Sequence, residues 1–388
     1  MLRMLAPILF VALISTLQSQ SSRPAFVPAP GSPVPVGEGS GRLILVDVNG
    51  DRRLDLVTSH LMNKFVSVRL GDGAGRFAAA PGSPIALKYE PGDIKLADLN
   101  GDNIPDLAVT HSERDSVDIL FGNGQGGFRP AAGSPYSVSA DGDFYTRSLD
   151  LIDLNEDGKP DIVTANRRRN VFATLLGDGR GRFSAGPTIT IPTEEGRLSF
   201  VHGEMFGDLD GDRHLDLVIV SRGEDLAPQP GRLRVFRGDG KGSFKERSIA
   251  TSPLPEAPRF VRLADLNGDK RLDIVTSHNG DQLSVLLNLG NDKFGPAPGS
   301  PYNLDGTPFA VAVADVNQDQ RNDLAAAAVD GIVVLLGGRD GFAAANGSPF
   351  RAGPGAYHLT VGDVDNDGKP DIAASSFEGN AVTLLLGR

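Results

Sequence analysis

A nine-residue pattern, Asp-x-(Asn/Asp)-x-Asp-x-x-x-Asp, occurs seven times in the chain, 48 to 57 residues apart. Its oxygen-bearing residues are Asp47, Asn49, Asp51 and Asp55 in the first copy, and Asp98, Asn100, Asp102 and Asp106 in the second. The third holds Asp153, Asn155, Asp157 and Asp161, and the fourth Asp208, Asp210, Asp212 and Asp216. The fifth holds Asp265, Asn267, Asp269 and Asp273, and the sixth Asp315, Asn317, Asp319 and Asp323. The seventh is all aspartate: Asp363, Asp365, Asp367 and Asp371. Each copy places several hard oxygens on one tight turn, and a backbone carbonyl near position 7 would complete the set. Such donors suit Ca²⁺, which takes six to eight oxygens at roughly 2.3–2.6 Å. Without a cation, carboxylates this close repel, and at least one is driven toward protonation. The pattern therefore predicts up to seven structural Ca²⁺ sites. Occupancy of all seven would bring the formal charge of −11 close to neutral.

The motif opens like an EF-hand loop and ends differently. Position 12, where an EF-hand needs Glu, holds Thr58, Val109, Thr164, Ile219, Thr276, Ala326 and Ala374. Position 6 is expected to need a left-handed backbone. Gly158 and Gly368 supply it freely and Asn103 tolerates it, whereas Arg52, Arg213, Lys270 and Gln320 are expected either to be strained or to turn differently.

The elements holding these loops read as strands. A short apolar stretch precedes each motif (Leu43 to Val46, Val311 to Ala314) and another follows it (Leu56 to Thr58, Ile274 to Thr276). A third run ends in a glycine-rich turn leading to a phenylalanine: Phe77, Phe128, Phe183, Phe244, Phe294 or Phe342. That phenylalanine usually opens a small-residue segment closing in Gly-Ser-Pro. Short β-branched runs punctuated by Gly, Pro, Asn and Asp predict four antiparallel strands per repeat. A unit of about 50 residues matches one propeller blade. The last repeat stops at Leu385-Leu386-Gly387-Arg388, and its missing outer piece stands at residues 26–33, from Phe26 to Pro33. Six complete copies and one divided copy predict an all-β, seven-bladed propeller. The N-terminal strand would close the last blade and remove the free sheet edges.

Composition agrees. The 388 residues include 48 Gly and 27 Pro without a collagen-type period, and 40% are hydrophobic, enough for a core. The absence of cysteine excludes disulfides, thiol chemistry and cysteine-ligated metals. The acidic balance argues against nucleic acid as a partner. Residues 1–22 carry one charge, Arg3, then an apolar run from Leu5 to Leu17, then small polar residues. That is the layout of a cleaved secretory leader, and the run is too short to span a bilayer. The expected product is residues 23–388, exported to the periplasm or beyond, monomeric and without a membrane span.

In a meander, the turn after the second strand lies opposite the Asp loops. Five residues past each ninth-position Asp stand His60, His111, Asn166, Ser221, His278, Ala328 and Ser376. Arg167, Arg168 and Arg169 follow Asn166, while Tyr89, Tyr145, His202, Arg259, Phe309, Tyr357 and His358 lead into the first strands. Of these, His60, His111, Asn166, His278, Tyr357 and His358 are the candidate ligand-binding residues for a carbohydrate or extracellular protein at the channel mouth. No nucleophile elbow, zinc-type histidine cluster or phosphate loop is present, so no catalytic residue is assigned. The alternative is a lyase-like enzyme acting on polysaccharide with Arg and His on this face.

The Asp-x-Asn-Gly-Asp-Gly-x-x-Asp type loop, followed by Leu-Leu-Gly-x-Gly-x-Gly-x-Phe, resembles FG-GAP/VCBS repeats, which also build the propeller head of integrin α subunits. The resemblance covers nearly all of residues 23–388. It implies a seven-bladed propeller with Ca²⁺ in the hairpin loops of one face, best at 153–161 and 363–371. In integrin-like members it implies ligands on the opposite face. The family includes adhesion, lectin-like and enzyme-associated proteins, so it fixes fold more firmly than function.

Overall fold

The computed structural model describes residues 25–111, 113–138, 146–166, 171–192, 200–222, 230–247, 249, 254–329 and 331–388. The expected leader, Tyr145 and Arg167 to Arg169 lie outside these residues, as do the side chains of Asn166 and His202. The described residues form seven antiparallel sheets, each a blade of a propeller. In blade 1, Ser40–Val46 pairs with Asp55–His60, which pairs with Phe65–Gly71, which pairs with Phe77–Ala79. The other blades repeat this order, their first strands beginning at Pro91, Thr146, Phe200, Pro258, Pro308 and Ala356. Among the described residues no helix is long and apolar enough to cross a membrane.

Second strands are buried at every position in blades 1, 2, 5, 6 and 7. Each has sheet neighbours on both edges and adjacent blades on both faces. This explains why they read as continuous apolar runs rather than alternations. The apolar residues between blades form seven clusters, one per interface. One of them joins blade 7 to blade 1 through Val364, Ala373, Leu384, Leu43 and Leu56, so the circle has no open end.

The two ends of the chain make that closure. Phe26–Pro28 pairs antiparallel with Ala381–Gly387, Phe26 standing opposite Gly387. Val34–Pro35 pairs with the same strand further along. Phe26 is buried and meets Phe350 edge-on at 5.3 Å.

The outer strand differs from expectation, being broken in two. In blade 1, Phe77–Ala79 pairs one half of the third strand and Ile85–Ala86 the other, with Gly82-Ser83-Pro84 between them. Proline has no N–H to give the ladder. At the break the neighbouring serine supplies an acceptor in place of a ladder carbonyl: Ser83 Oγ accepts the Val68 N–H at 2.9 Å. Ser32, Ser134, Ser300 and Ser348 accept Leu384, Ile119, Val285 and Val334 in the same way. The Gly-Ser-Pro segments are thus fittings on the outer edge.

Truncating Phe26 to alanine should cost about 3–5 kcal/mol, the usual range for emptying a buried aromatic site. Urea denaturation checks this. An unchanged midpoint would mean that the N-terminal strand does not hold the ring shut.

Candidate functional site

Each Asp loop is wound by its own backbone. The ninth-position Asp begins the second strand and is at most 2% exposed in all seven blades. One of its oxygens accepts the N–H of the loop's second residue and the other an N–H from the third strand. In blade 1 these bonds run from Val48 at 3.0 Å and Gly71 at 2.8 Å to Asp55. In blade 7 they run from Val364 at 2.7 Å and Gly387 at 2.9 Å to Asp371. The third strand passes so close that a Cβ on Gly71 would lie 2.2 Å from the Leu54 carbonyl oxygen.

The first-position Asp collects N–H groups from further along. Asp47 Oδ1 accepts Gly50 at 2.7 Å and Oδ2 accepts Arg52 at 2.7 Å. The wrap needs positive φ at positions 4 and 6, and all seven loops adopt it, whatever residue stands there. Arg52, Asn103, Arg213, Lys270 and Gln320 have φ of 66°, 63°, 76°, 67° and 68°. Of the two expectations for the loops without glycine at position 6, strain holds and a different turn does not. Six loops carry one glycine at position 4 or 6, whereas the sixth has Gln318 and Gln320 at φ 60° and 68°.

Burial pushes Asp55, Asp106, Asp273 and Asp371 up to about 6, against the pull of their two backbone donors, with the other loop carboxylates adding to the rise. Asp161, Asp216 and Asp323 are raised for the same first reason. In two loops three carboxylates converge, each offering an oxygen within 4.8 Å of the others: Asp208, Asp210 and Asp216, and Asp363, Asp365 and Asp371. An ion bonded to each at roughly 2.3–2.6 Å fits that spacing. The cluster of blade 4 has a competitor, since Arg237 pairs with Asp210. In blade 7, Lys369 pairs instead with Asp367, outside the trio. Of the two loops expected to be best, 363–371 therefore gathers three carboxylates. In 153–161, Asn155 stands at the third position, leaving Asp153 and Asp161 with an amide. The fifth-position Asp joins neither trio.

The face opposite the loops corrects the histidine expectation. His60, His111 and His278 are fully buried, because each ends a second strand covered on both faces. His60 bonds the Glu38 carbonyl through Nδ1 at 2.8 Å and Ser67 Oγ through Nε2 at 2.9 Å. His111 Nε2 lies 3.0 Å from Asp118 Oδ2, and His278 Nε2 lies 2.9 Å from Thr276 Oγ1. These side chains support the strand ends and do not line the mouth.

A β-bulge in every first strand presents other residues there, the expected Tyr357 among them, while the expected His358 lines the channel instead. The register shifts between Pro258 and Phe260, Pro308 and Ala310, and Ala356 and His358, at Arg259, Phe309 and Tyr357. Arg147 and His202 hold the same place in blades 3 and 4, while blades 1 and 2 slip at Gly41 and Gly92. Bulges re-aim side chains. The Arg259 guanidinium lies 5.0 Å from the Phe309 ring centroid, Phe309 6.0 Å from Tyr357, and Tyr357 6.2 Å from Phe377. Arg259 is held in place by Asn279 Oδ1. All four side chains of this arc are half-buried.

The repeats match the FG-GAP-like repeat family over residues 47–109, 98–164, 153–219, 208–276, 265–326 and 315–374. The chain belongs to that family. No curated protein matches it. Among solved structures, the FG-GAP-like chain is similar to BBS1N in complex with ARL6DN, with a TM-score of 0.62 and 14% identity over 94% of this chain and 98% of that one. It is also similar to a lectin of Agrocybe aegerita that recognises non-reducing terminal N-acetylglucosamine. That match has a TM-score of 0.51 and 18% identity over 91% and 92% of the two chains.

One feature of this FG-GAP-like propeller was missed in the sequence. Its central channel carries a belt of charge, with Arg42, Asp93 and His358 five residues before their motifs and Lys95, Asp150 and Arg262 three before theirs. Arg42 Nε lies 3.3 Å from Asp93 Oδ1, and Lys95 Nζ 3.4 Å from Asp150 Oδ1. The signal was present as charged residues at alternating positions of otherwise apolar strands.

Gln320→Gly should raise stability by about 0.5–1 kcal/mol: relief of the left-handed penalty exceeds glycine's greater unfolded-state entropy. Equilibrium urea unfolding of the two proteins checks this. Burial lowers His60 to about 4. The unfolded chain thus takes up this proton near pH 6.5 and the folded one only near 4, so His60 costs stability as pH falls between those values. His60→Gln should show a shallower loss than the parent from pH 7 to 4.5; parallel curves would refute it.

Proposed function

We propose that this FG-GAP-like propeller is an exported, calcium-stabilised binding or adhesion module. It acts as a monomer and takes a carbohydrate or protein ligand at the mouth opposite the Asp loops. The observation that carries the reading is the arc of Arg259, Phe309 and Tyr357 at the bulges and Phe377 in the turn after a second strand. It sets a cation and three aromatic rings side by side, half-buried, on rigid strand ends. Aromatic faces and an anchored guanidinium serve sugar rings and peptide side chains alike. The same fold is found in complex with ARL6DN in one similar structure and recognises terminal N-acetylglucosamine in another. Export rests on the composition of residues 1–22.

Calcium has a supporting role in this reading. The loop of blade 7 offers Asp363, Asp365 and Asp371, and the raised Asp365 and Asp371 are carboxylates that a divalent ion would relieve of mutual repulsion. A site with a Kd of ~0.1 mM in ~1 mM Ca²⁺ adds about 1.4 kcal/mol to the fold.

Two measurements test the proposal together. Chelation should lower the melting temperature of the parent, and Asp365→Ala should remove part of that calcium response. In a glycan-array and pull-down screen run with and without chelator, Phe309→Ala/Tyr357→Ala should lose the ligand that the parent retains. A melting temperature indifferent to chelator would end the calcium reading, and undiminished binding by the double variant would end the assignment of the mouth. The lyase-like alternative, with Arg and His on this face, would have to work without His60, His111 and His278, which are enclosed. Anionic polysaccharides incubated with the protein should keep their chain length.

A further inference from the structure

We infer that the central channel holds a second binding site, distinct from the mouth, for the oxyanion group of a small organic molecule: a carboxylate or a phosphate ester. The space is a chamber of about 800 Å³ running from the charge belt toward the Asp-loop end, where Asp315, Asp363 and Lys369 stand at its rim. It lies against blades 6 and 7, whose channel positions are small: Ala312, Ala314 and Gly362. A volume of this size is that of a small-molecule site.

At the belt the charges facing the chamber are unequal, while Asp315 and Asp363 stand with Lys369 at the far rim. Arg42, Lys95 and Arg262 line it together with one belt carboxylate, Asp93. Asp150 and Glu204 border a smaller pocket of about 180 Å³ on the other side of the belt. Asp93 is committed to Arg42 at 3.3 Å, and Asp150 to Lys95 at 3.4 Å. Among the described residues no carboxylate comes within ion-pair distance of Arg262. Its Nη1 donates to the Val261 carbonyl at 3.0 Å, and its guanidinium lies 5.5 Å from the Phe260 ring centroid. Arg42 lies 5.1 Å from the same ring, so two guanidinium groups gather around one phenyl ring.

His358 stands beside them, lining both spaces, with its buried Nδ1 lacking a hydrogen-bond partner. Desolvation and the three surrounding cations hold it neutral, and the Leu43 carbonyl takes the N–H of its other ring nitrogen, so Nδ1 is an acceptor until it is protonated. Desolvation, together with Arg42, also lowers Arg262. An anion would relieve Arg262 and favour a proton on His358 Nδ1, making that nitrogen a donor. A guanidinium fork matches the paired oxygens of a carboxylate or phosphate. The chamber thus offers one guanidinium that no described carboxylate pairs and one imidazole nitrogen without a hydrogen bond, with small apolar walls to take an organic body.

The test is isothermal titration of the full chain at pH 7 and constant ionic strength with acetate, citrate, inorganic phosphate and phenyl phosphate, with chloride as control. Saturable one-to-one binding of at least one oxyanion is expected, weakened at least tenfold in Arg262→Gln and unchanged in Arg76→Gln, an exposed arginine outside the channel. The citrate and phosphate arms decide which oxyanion is preferred. Should Arg262→Gln fail to fold, Arg262→Lys, which keeps the charge without the fork, and His358→Ala provide the same comparison. No saturable binding by any probe, or binding equal in parent and variants, would overturn the site. The mouth variant Phe309→Ala/Tyr357→Ala should bind the oxyanion normally, which separates this site from the one proposed above.

Discussion

The structure depends on a buried carboxylate used as a clamp. At the start of every second strand an aspartate, enclosed by the blade, spends one oxygen on the loop behind it and the other on the third strand beside it. A carboxylate accepts both bonds at once, which no other side chain of that length does as well. The clamp fixes where the hairpin ends, how near the third strand passes, and why glycine stands at most of the crossing points. Blade 5 shows the constraint by exception: Asn288 replaces the glycine, and its N–H still reaches Asp273 at 2.7 Å.

That clamp carries a cost which the rest of the loop addresses. Burial raises these aspartates, four of them to about 6. Near neutral pH, then, each ionised clamp opposes its own enclosure. The backbone N–H groups wrapped around the first-position Asp, and a divalent ion among the carboxylates, both favour the charged form. The same loop is thereby a structural joint and a candidate metal centre, and the two roles share their residues.

Closure is the second constraint. Each blade buries one face against the next, so a row of blades would leave two apolar faces exposed; the cluster joining blade 7 to blade 1 removes both. The ring leaves a channel too wide for first-strand side chains to fill where those are alanine and glycine. Charged residues gather along the opposite arc, and function can be placed at either end or inside.

Period, motif and the divided last repeat determined the number of blades, their strand order, the placement of the Asp loops and the N-terminal closure, because these follow from local chemistry repeated seven times. The left-handed turn at position 6 was legible where glycine marked it and not where arginine, lysine or glutamine stood, and the one at position 4 went unread, since the backbone bonds of the loop override the residue's preference. Side-chain exposure was decided by the tertiary structure. His60, His111 and His278 occupy strand ends that sequence places at the mouth, yet neighbouring blades enclose them. Tyr357 was expected at that mouth and Phe309 at the entry to its strand, but the bulges that present them leave no mark in composition. Arg42 and Arg262, in strands that read as apolar runs, come together only when seven first strands close around an axis, because their meeting depends on the geometry of the ring and not on any spacing along the chain.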